Sequence, residues 1–187
     1  MDRNCTPQLA HFVPLIIGHG GNAGSQAVGQ VIKALSSNRL NPHAAGGSFR
    51  AVVKETAVGA LCGLALGCVV LLVGVITRIV SLHVGVVVAI SLPLVSLWAN
   101  LIGAALPLIA ARLGSNPALT SAPLMTTIID SSGLLIYFAV AHFYFHGREG
   151  LVDSHHSLHS LPISHNQHAA LVHAASRTSP QQHRSSG

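Results

Sequence analysis

The stretch Leu119-Thr-Ser-Ala-Pro-Leu-Met-Thr-Thr-Ile-Ile-Asp130-Ser-Ser-Gly-Leu-Leu-Ile-Tyr-Phe-Ala-Val140 carries one formal charge. Arg112 and Arg148 bound the surrounding apolar run, and Asp130 is the only Asp, Glu, Lys or Arg between them. Roughly 20 residues of helix cross a hydrocarbon core about 30 Å thick. The run is therefore long enough to span, and it puts a carboxylate near mid-depth. A charge there costs at least about 2.5–3.5 kcal/mol and by default faces a bundle interior or a water-filled path. The functional reading is an ion or proton site. The plain alternative is a protonated or hydrogen-bonded Asp that ties two helices together.

Composition supports a membrane chain. Of 187 residues, 50% are hydrophobic and only 8% are charged, against about 25% in a typical soluble domain. The mean hydropathy is +0.55. The net charge of +5 comes from 10 Lys+Arg against 5 Asp+Glu, and aromatics make up only 4%. The basic residues are scattered toward segment ends, so no nucleic-acid face is expected. Cys5, Cys62 and Cys68 match no disulfide or zinc spacing, and the last two read as buried small hydrophobes within an apolar helix. The opening Met1-Asp-Arg-Asn-Cys-Thr-Pro lacks a clear signal-peptide pattern, so internal apolar segments are expected to direct insertion.

The expected fold is all-α, a polytopic transmembrane helix bundle. Residues 57–76, about 84–111 and about 120–143 each form a full span. A partial N-terminal span, about 9–35, is expected to be broken or kinked by Pro14 and the Gly18–Gly24 run. Gly59, Gly63 and Gly67 repeat every four residues and predict close helix approach, as does the small face Ala99, Gly103 and Pro107. Asn100 reads as an interhelical hydrogen-bond partner. Lys33, Arg39, Arg50, Lys54 and Arg112 fall on one side and Arg78 and Arg148 on the other, which favours a cytoplasmic 36–56 connector. Residues 1–146 are thus a transmembrane domain. Residues 147–187, rich in Ser, Gln, Pro and His, are expected to be a disordered tail. Its His155, His156, His159, His165, His168, His173 and His183 fit no defined zinc motif.

The second strong signal is Pro14-Leu-Ile-Ile-Gly-His-Gly-Gly-Asn-Ala-Gly-Ser-Gln26. It meets the dinucleotide fingerprint only superficially, because no strand–helix–strand unit surrounds it. In a membrane, a Gly-rich polar break is tolerated where it is buried or lines a water-filled cavity, and Asn22, Ser25 and Gln26 would supply neutral oxygens there. Tight helix packing is the alternative. Together with Phe49-Arg-x-x-x-Lys54-Glu55-x-x-x-Gly59, Ala99-Asn-Leu-Ile-Gly-Ala-Ala-Leu-Pro107, Arg112-Leu-Gly-x-Asn-Pro-Ala118 and Ser121-Ala-Pro-Leu-Met-Thr-Thr-Ile-Ile-Asp130-x-x-Gly-Leu-Leu-Ile-Tyr137, this segment resembles the signatures of the MgtE-type magnesium transporters. The resemblance covers about residues 9–145, in the family's order.

The resemblance implies a five-helix transmembrane domain, two copies of which form a pore along the dimer axis. It implies Mg²⁺ as the transported ion, with Asp130 and Thr126 as its ligands. Asn22, Gln26, Ala122, Pro123, Thr127 and Asn116 would line the pore, with Pro123 exposing backbone carbonyls in the turn before Thr126 and Thr127. The chain departs from the family pattern in places. Asn116 and Ala122 stand where relatives often have Asp and Asn, and the family's first membrane helix and cytoplasmic sensing domains are expected to be missing. The function expected is Mg²⁺ transport, without covalent chemistry, by a homodimer in the lipid bilayer. The alternative is a truncated, non-conducting paralogue that dimerises with a full-length relative. The plasma membrane is the expected location, with an organelle membrane as the alternative.

Overall fold

The computed structural model describes residues 5–78 and 80–159. Four helices follow one another: α1 (Cys5–Ser36), α2 (Ala45–Thr77), α3 (Leu82–Arg112) and α4 (Pro117–His159). No strand occurs among the described residues. Three segments are long and apolar enough to cross a membrane: Gly46–Thr77, Leu82–Arg112 and Pro117–Gly147. The all-α bundle with three full spans is therefore as expected. The chain divides into two units, Met1–His146 and Gly147–Gly187.

The expected break in α1 does not occur. The helix runs unbroken for 32 residues through both Pro14 and the glycine run. Its glycines serve contact instead. A methyl on Gly20 would lie 2.9 Å from Val95 Cγ1 and 3.0 Å from Ile129 Cγ2. One on Gly24 would lie 2.5 Å from Met125 Sδ and 3.0 Å from the Ala99 carbonyl, and Gly103 of α3 presses against the Gly24 carbonyl. Losing these side chains brings the backbones of α1 and α3 close and makes room for Met125 and Ile129 of α4, which offsets the low helix propensity of glycine.

α2 uses its glycine ladder on the other side of α3, as the spacing predicts. Gly59 sits on the Asn100 side chain. A Cβ on Gly63 would lie 2.7 Å from the Leu92 carbonyl and 2.6 Å from Ser96 Oγ, and one on Gly67 would lie 2.7 Å from the Ala89 carbonyl. The opposite face of α2 is bare: Leu61, Leu64, Val69, Leu72 and Ile76 are all exposed. Cys62 and Cys68 lie among them and are exposed, not buried as expected. The reason is that α2 buries only its glycine stripe and leaves the rest for lipid. Asn100 also differs from expectation, since its Nδ2 donates to the Ser96 carbonyl of its own helix at 2.8 Å.

α4 closes the bundle. Trp98 Nε1 of α3 donates to Ser132 Oγ at 2.9 Å, and the buried Tyr137 hydroxyl donates to the Leu9 carbonyl of α1 at 2.9 Å. Leu9, Ile16, Val88, Leu92, Val95 and Tyr137 share one core cluster, and Val28, Ala99, Met125 and Ile129 form a second. The α3–α4 turn follows from Gly-Ser-Asn-Pro. Gly114 takes φ +70°, Ser115 N–H donates to the Ala110 carbonyl and Gly114 N–H to the Ala111 carbonyl, a Schellman termination that only glycine adopts without strain. Arg112 Nε donates to the Pro42 carbonyl at 2.6 Å, so Arg112 and the α1–α2 connector share one end of the bundle.

The helical backbone of α4 continues through His159, past Gly147, where disorder was expected. No proline interrupts the sequence until Pro162, so nothing there forces the helix to stop. The remaining tail histidines, His165, His168, His173 and His183, lie outside the described residues.

Replacing Gly63 by Leu would force its side chain into the Leu92 carbonyl. We expect a loss on the order of 1–3 kcal/mol, read as a lower Tm in detergent. Gly74→Ala, where a Cβ meets nothing within 4 Å, should leave Tm nearly unchanged.

Candidate functional site

Asp130 lies close to the centre of the Pro117–Gly147 span. Its side chain is exposed, and among the described residues it has no hydrogen bond or ion pair. Its Oδ1 stands 4.0 Å from where a Cβ on Gly21 would be. The carboxylate is thus alongside α1, at the edge of the glycine seam. The structural alternative, an Asp tying two helices by a hydrogen bond, finds no partner for it among the described residues.

The neighbouring expected residues mostly share this outward position. Asn22 and Gln26 are exposed on α1, and Ala122, Pro123 and Thr127 are exposed on α4; Thr126 is half-buried. Helical spacing puts Pro123, Thr126, Thr127 and Asp130 on one face of α4. The Thr126 and Thr127 hydroxyls both donate to the Pro123 carbonyl, at 3.0 and 3.1 Å. That carbonyl is therefore engaged, not bare as expected. Pro123 has no N–H, so the carbonyl it leaves without an intrahelical donor is that of Leu119, one turn earlier. The two threonine oxygens keep lone pairs that can accept from water. A polar face with a carboxylate at its centre is thus left open along α1 and α4.

Asn116 does a different job. Its Oδ1 accepts the Ala118 N–H at 3.0 Å, and its carbonyl accepts from Thr120 Oγ1 at 3.0 Å. With Pro117 as the first helical residue, Asn116 is the N-cap of α4. It sits at the end of the helix, about four turns from Asp130.

Two features escaped the sequence reading. His19 bonds through Nε2 to Ser96 Oγ at 2.5 Å, a polar link between α1 and α3 at the level where Gly63 of α2 also touches Ser96. The signal available was a histidine inside an otherwise uncharged segment. Ser121 is 1% exposed, and its hydroxyl has no partner among the described residues. Elsewhere, a cleft of about 450 Å³ at the connector end is lined by Lys33, Arg39, Lys54 and Glu55. Three cations there against one carboxylate make it a poor place for a divalent metal ion.

Comparison with known proteins now bears on this face. The divalent cation transporter family MgtE matches residues 13–140. The chain belongs to the MgtE family. It is 43% identical over 134 residues to the magnesium transporter MgtE of Thermus thermophilus, covering 71% of this chain and 28% of that protein. The Bacillus subtilis MgtE is 33% identical over 138 residues, or 74% of this chain and 30% of its own length. The Enterococcus faecalis MgtE is 31% identical over 137 residues, or 73% and 29%. The chain therefore matches less than a third of the length of these relatives. The MgtE match takes in α2 and α3 whole, most of α1, the first part of α4 with Asp130, and the glycine seam.

The capping role of Asn116 can be tested apart from any ion role. Asn116→Ala should cost about 1 kcal/mol of stability, seen as a lower Tm in detergent, and Asn116→Ser should recover most of it. Equal loss in both variants would show that capping is not what Asn116 contributes.

Proposed function

We propose that this chain carries a divalent cation, Mg²⁺, across a membrane through a pore built by two copies, with the open α1–α4 face lining it. The observation that carries the reading is Asp130: a lone carboxylate, mid-span, exposed and without a protein partner among the described residues. Hydrocarbon does not tolerate such a group, so the face needs water or a second protein surface against it. Two copies meeting there would place two carboxylates on one path.

The chemistry suits Mg²⁺. The ion prefers octahedral oxygen coordination and gives up water reluctantly, so it is held by one or two carboxylates through a retained hydration shell. Asp130 supplies the charge. Thr126 and Thr127, held by the Pro123 carbonyl, accept hydrogen bonds from the ion's waters. Asn22 and Gln26 offer further amide oxygens from α1, and Ala122 with Pro123 keeps the α4 side of the path narrow and uncharged. No step makes or breaks a covalent bond, and flux follows the electrochemical gradient. The bilayer is the chain's solvent, and the plasma membrane is the location we assign it.

Expressed in cells lacking Mg²⁺ uptake, the chain should restore growth at low Mg²⁺. Asp130→Asn keeps the side chain's size and should lower uptake about tenfold or more while membrane insertion stays normal. An active parent whose uptake is unchanged by Asp130→Asn would sink the proposal. Should the chain restore uptake only when expressed with a longer MgtE relative, it is a partner subunit and not a transporter by itself.

A further inference from the structure

A second metal site, of different chemistry, is built into the far part of α4. His142 and His146 are both exposed, and their rings lie with centroids 4.4 Å apart at an interplanar angle of 68°. One helical turn separates them, so both imidazoles leave the same face. We propose that this pair binds a borderline-soft divalent cation, Zn²⁺, Ni²⁺ or Cu²⁺, between its two ring nitrogens.

The spacing supports chelation. A metal–nitrogen bond of about 2.0–2.1 Å, plus about 1.2 Å from nitrogen to ring centre, puts each centroid about 3.2 Å from a shared ion. Two such rings on a tetrahedral ion have centroids about 5.2 Å apart, so the pair, at 4.4 Å, needs to open by less than 1 Å to close on one. Both rings stand on one helix, so binding needs a side-chain adjustment and no ordering of a loop. Neither ring belongs to the core. That contrasts with the adjacent Tyr144, which is half-buried and bonds His83 Nδ1 at 3.2 Å.

The surroundings place the pair where water can complete the coordination. Tyr144, between Phe143 and Phe145 near the end of the span, is of a residue type enriched at the membrane–water boundary. Among the described residues no group of three His, Cys, Asp or Glu assembles. Two imidazoles with water in the other positions make an exchangeable site, not a structural one. The pair is also separate from the proposed Mg²⁺ path, since His142 and His146 lie about 18 and 24 Å from Asp130 along the α4 axis. Imidazole selects transition metals, whereas Mg²⁺ takes oxygen ligands and keeps its water, so the two sites discriminate by ligand type.

The inference stands whether or not the chain transports Mg²⁺, and its test reads binding, not flux. Ni²⁺ is titrated into the full chain in detergent, with the histidines from His155 to His183 changed to glutamine so that tail binding is silent. One Ni²⁺ per chain is expected, undisturbed by about 1 mM Mg²⁺. His142→Gln and His146→Gln should each weaken it about tenfold or more, and His83→Gln and His11→Gln should leave it within about twofold. With Cu²⁺ as the probe, electron paramagnetic resonance should show two coordinated nitrogens, falling to one in either single variant. Both His142 and His146 are exposed, so their glutamine variants should fold as the parent does. Affinity that survives the double variant, or an equal loss in His83→Gln, overturns the proposal.

Discussion

Backbone contact along α3 is the constraint on which the bundle rests. In a bilayer there is no hydrophobic gain from pressing one apolar helix on another, so close packing must supply the association. α3 receives glycines from two directions. Gly59, Gly63 and Gly67 of α2 rest on Asn100, on Ser96 with the Leu92 carbonyl, and on the Ala89 carbonyl, while Gly24 of α1 meets Gly103 and the Ala99 carbonyl. Any side chain at these points would have to displace a helix. The polar residues of α3 are consistent with this. Ser96 and Asn100 are buried, and each finds a partner in the small space that the glycines leave.

This packing also decides what stays outside. α2 spends its one buried stripe on α3 and turns the rest of its surface, Cys62 and Cys68 included, toward lipid. α1 spends its stripe on α3 and α4, which leaves Asn22 and Gln26 exposed, while Gly21 is the α1 residue that Asp130 approaches. The outer face of α2 is therefore apolar, whereas that of α4 mixes exposed Leu119, Leu124 and Leu135 with Thr127 and Asp130. The carboxylate at mid-span is the group there that needs water or a protein partner. The MgtE family match, which covers residues 13–140, takes in both faces.

Much of this was legible in residue order. Two charge-free runs and a third whose only charge is Asp130 gave three spans, because charge in hydrocarbon is costly whatever the fold. The four-residue glycine spacing marked a close helix contact, which α3 fills. Asp130 stood out by isolation alone, and the motifs around it carried the family resemblance that the comparisons bear out. The glycine run of α1 was misread as a break. Glycine lowers helix propensity locally, but propensity is a weak prior that close packing overrides, and the sequence of α1 does not contain the Met125, Val95 and Ile129 side chains that fill the space.

What the sequence determined by itself, then, was the membrane environment, the number of full spans and the rarity of Asp130. Each depends only on composition along a single segment, and solvation acts on segments one at a time. Which polar groups share a face was decided by tertiary structure. The engagement of the Thr126 and Thr127 hydroxyls by Pro123, the His19–Ser96 link and the nearness of Asp130 to Gly21 all depend on where helix surfaces turn once packed. Rotation of a helix about its own axis is fixed by its neighbours, and those neighbours are distant in sequence.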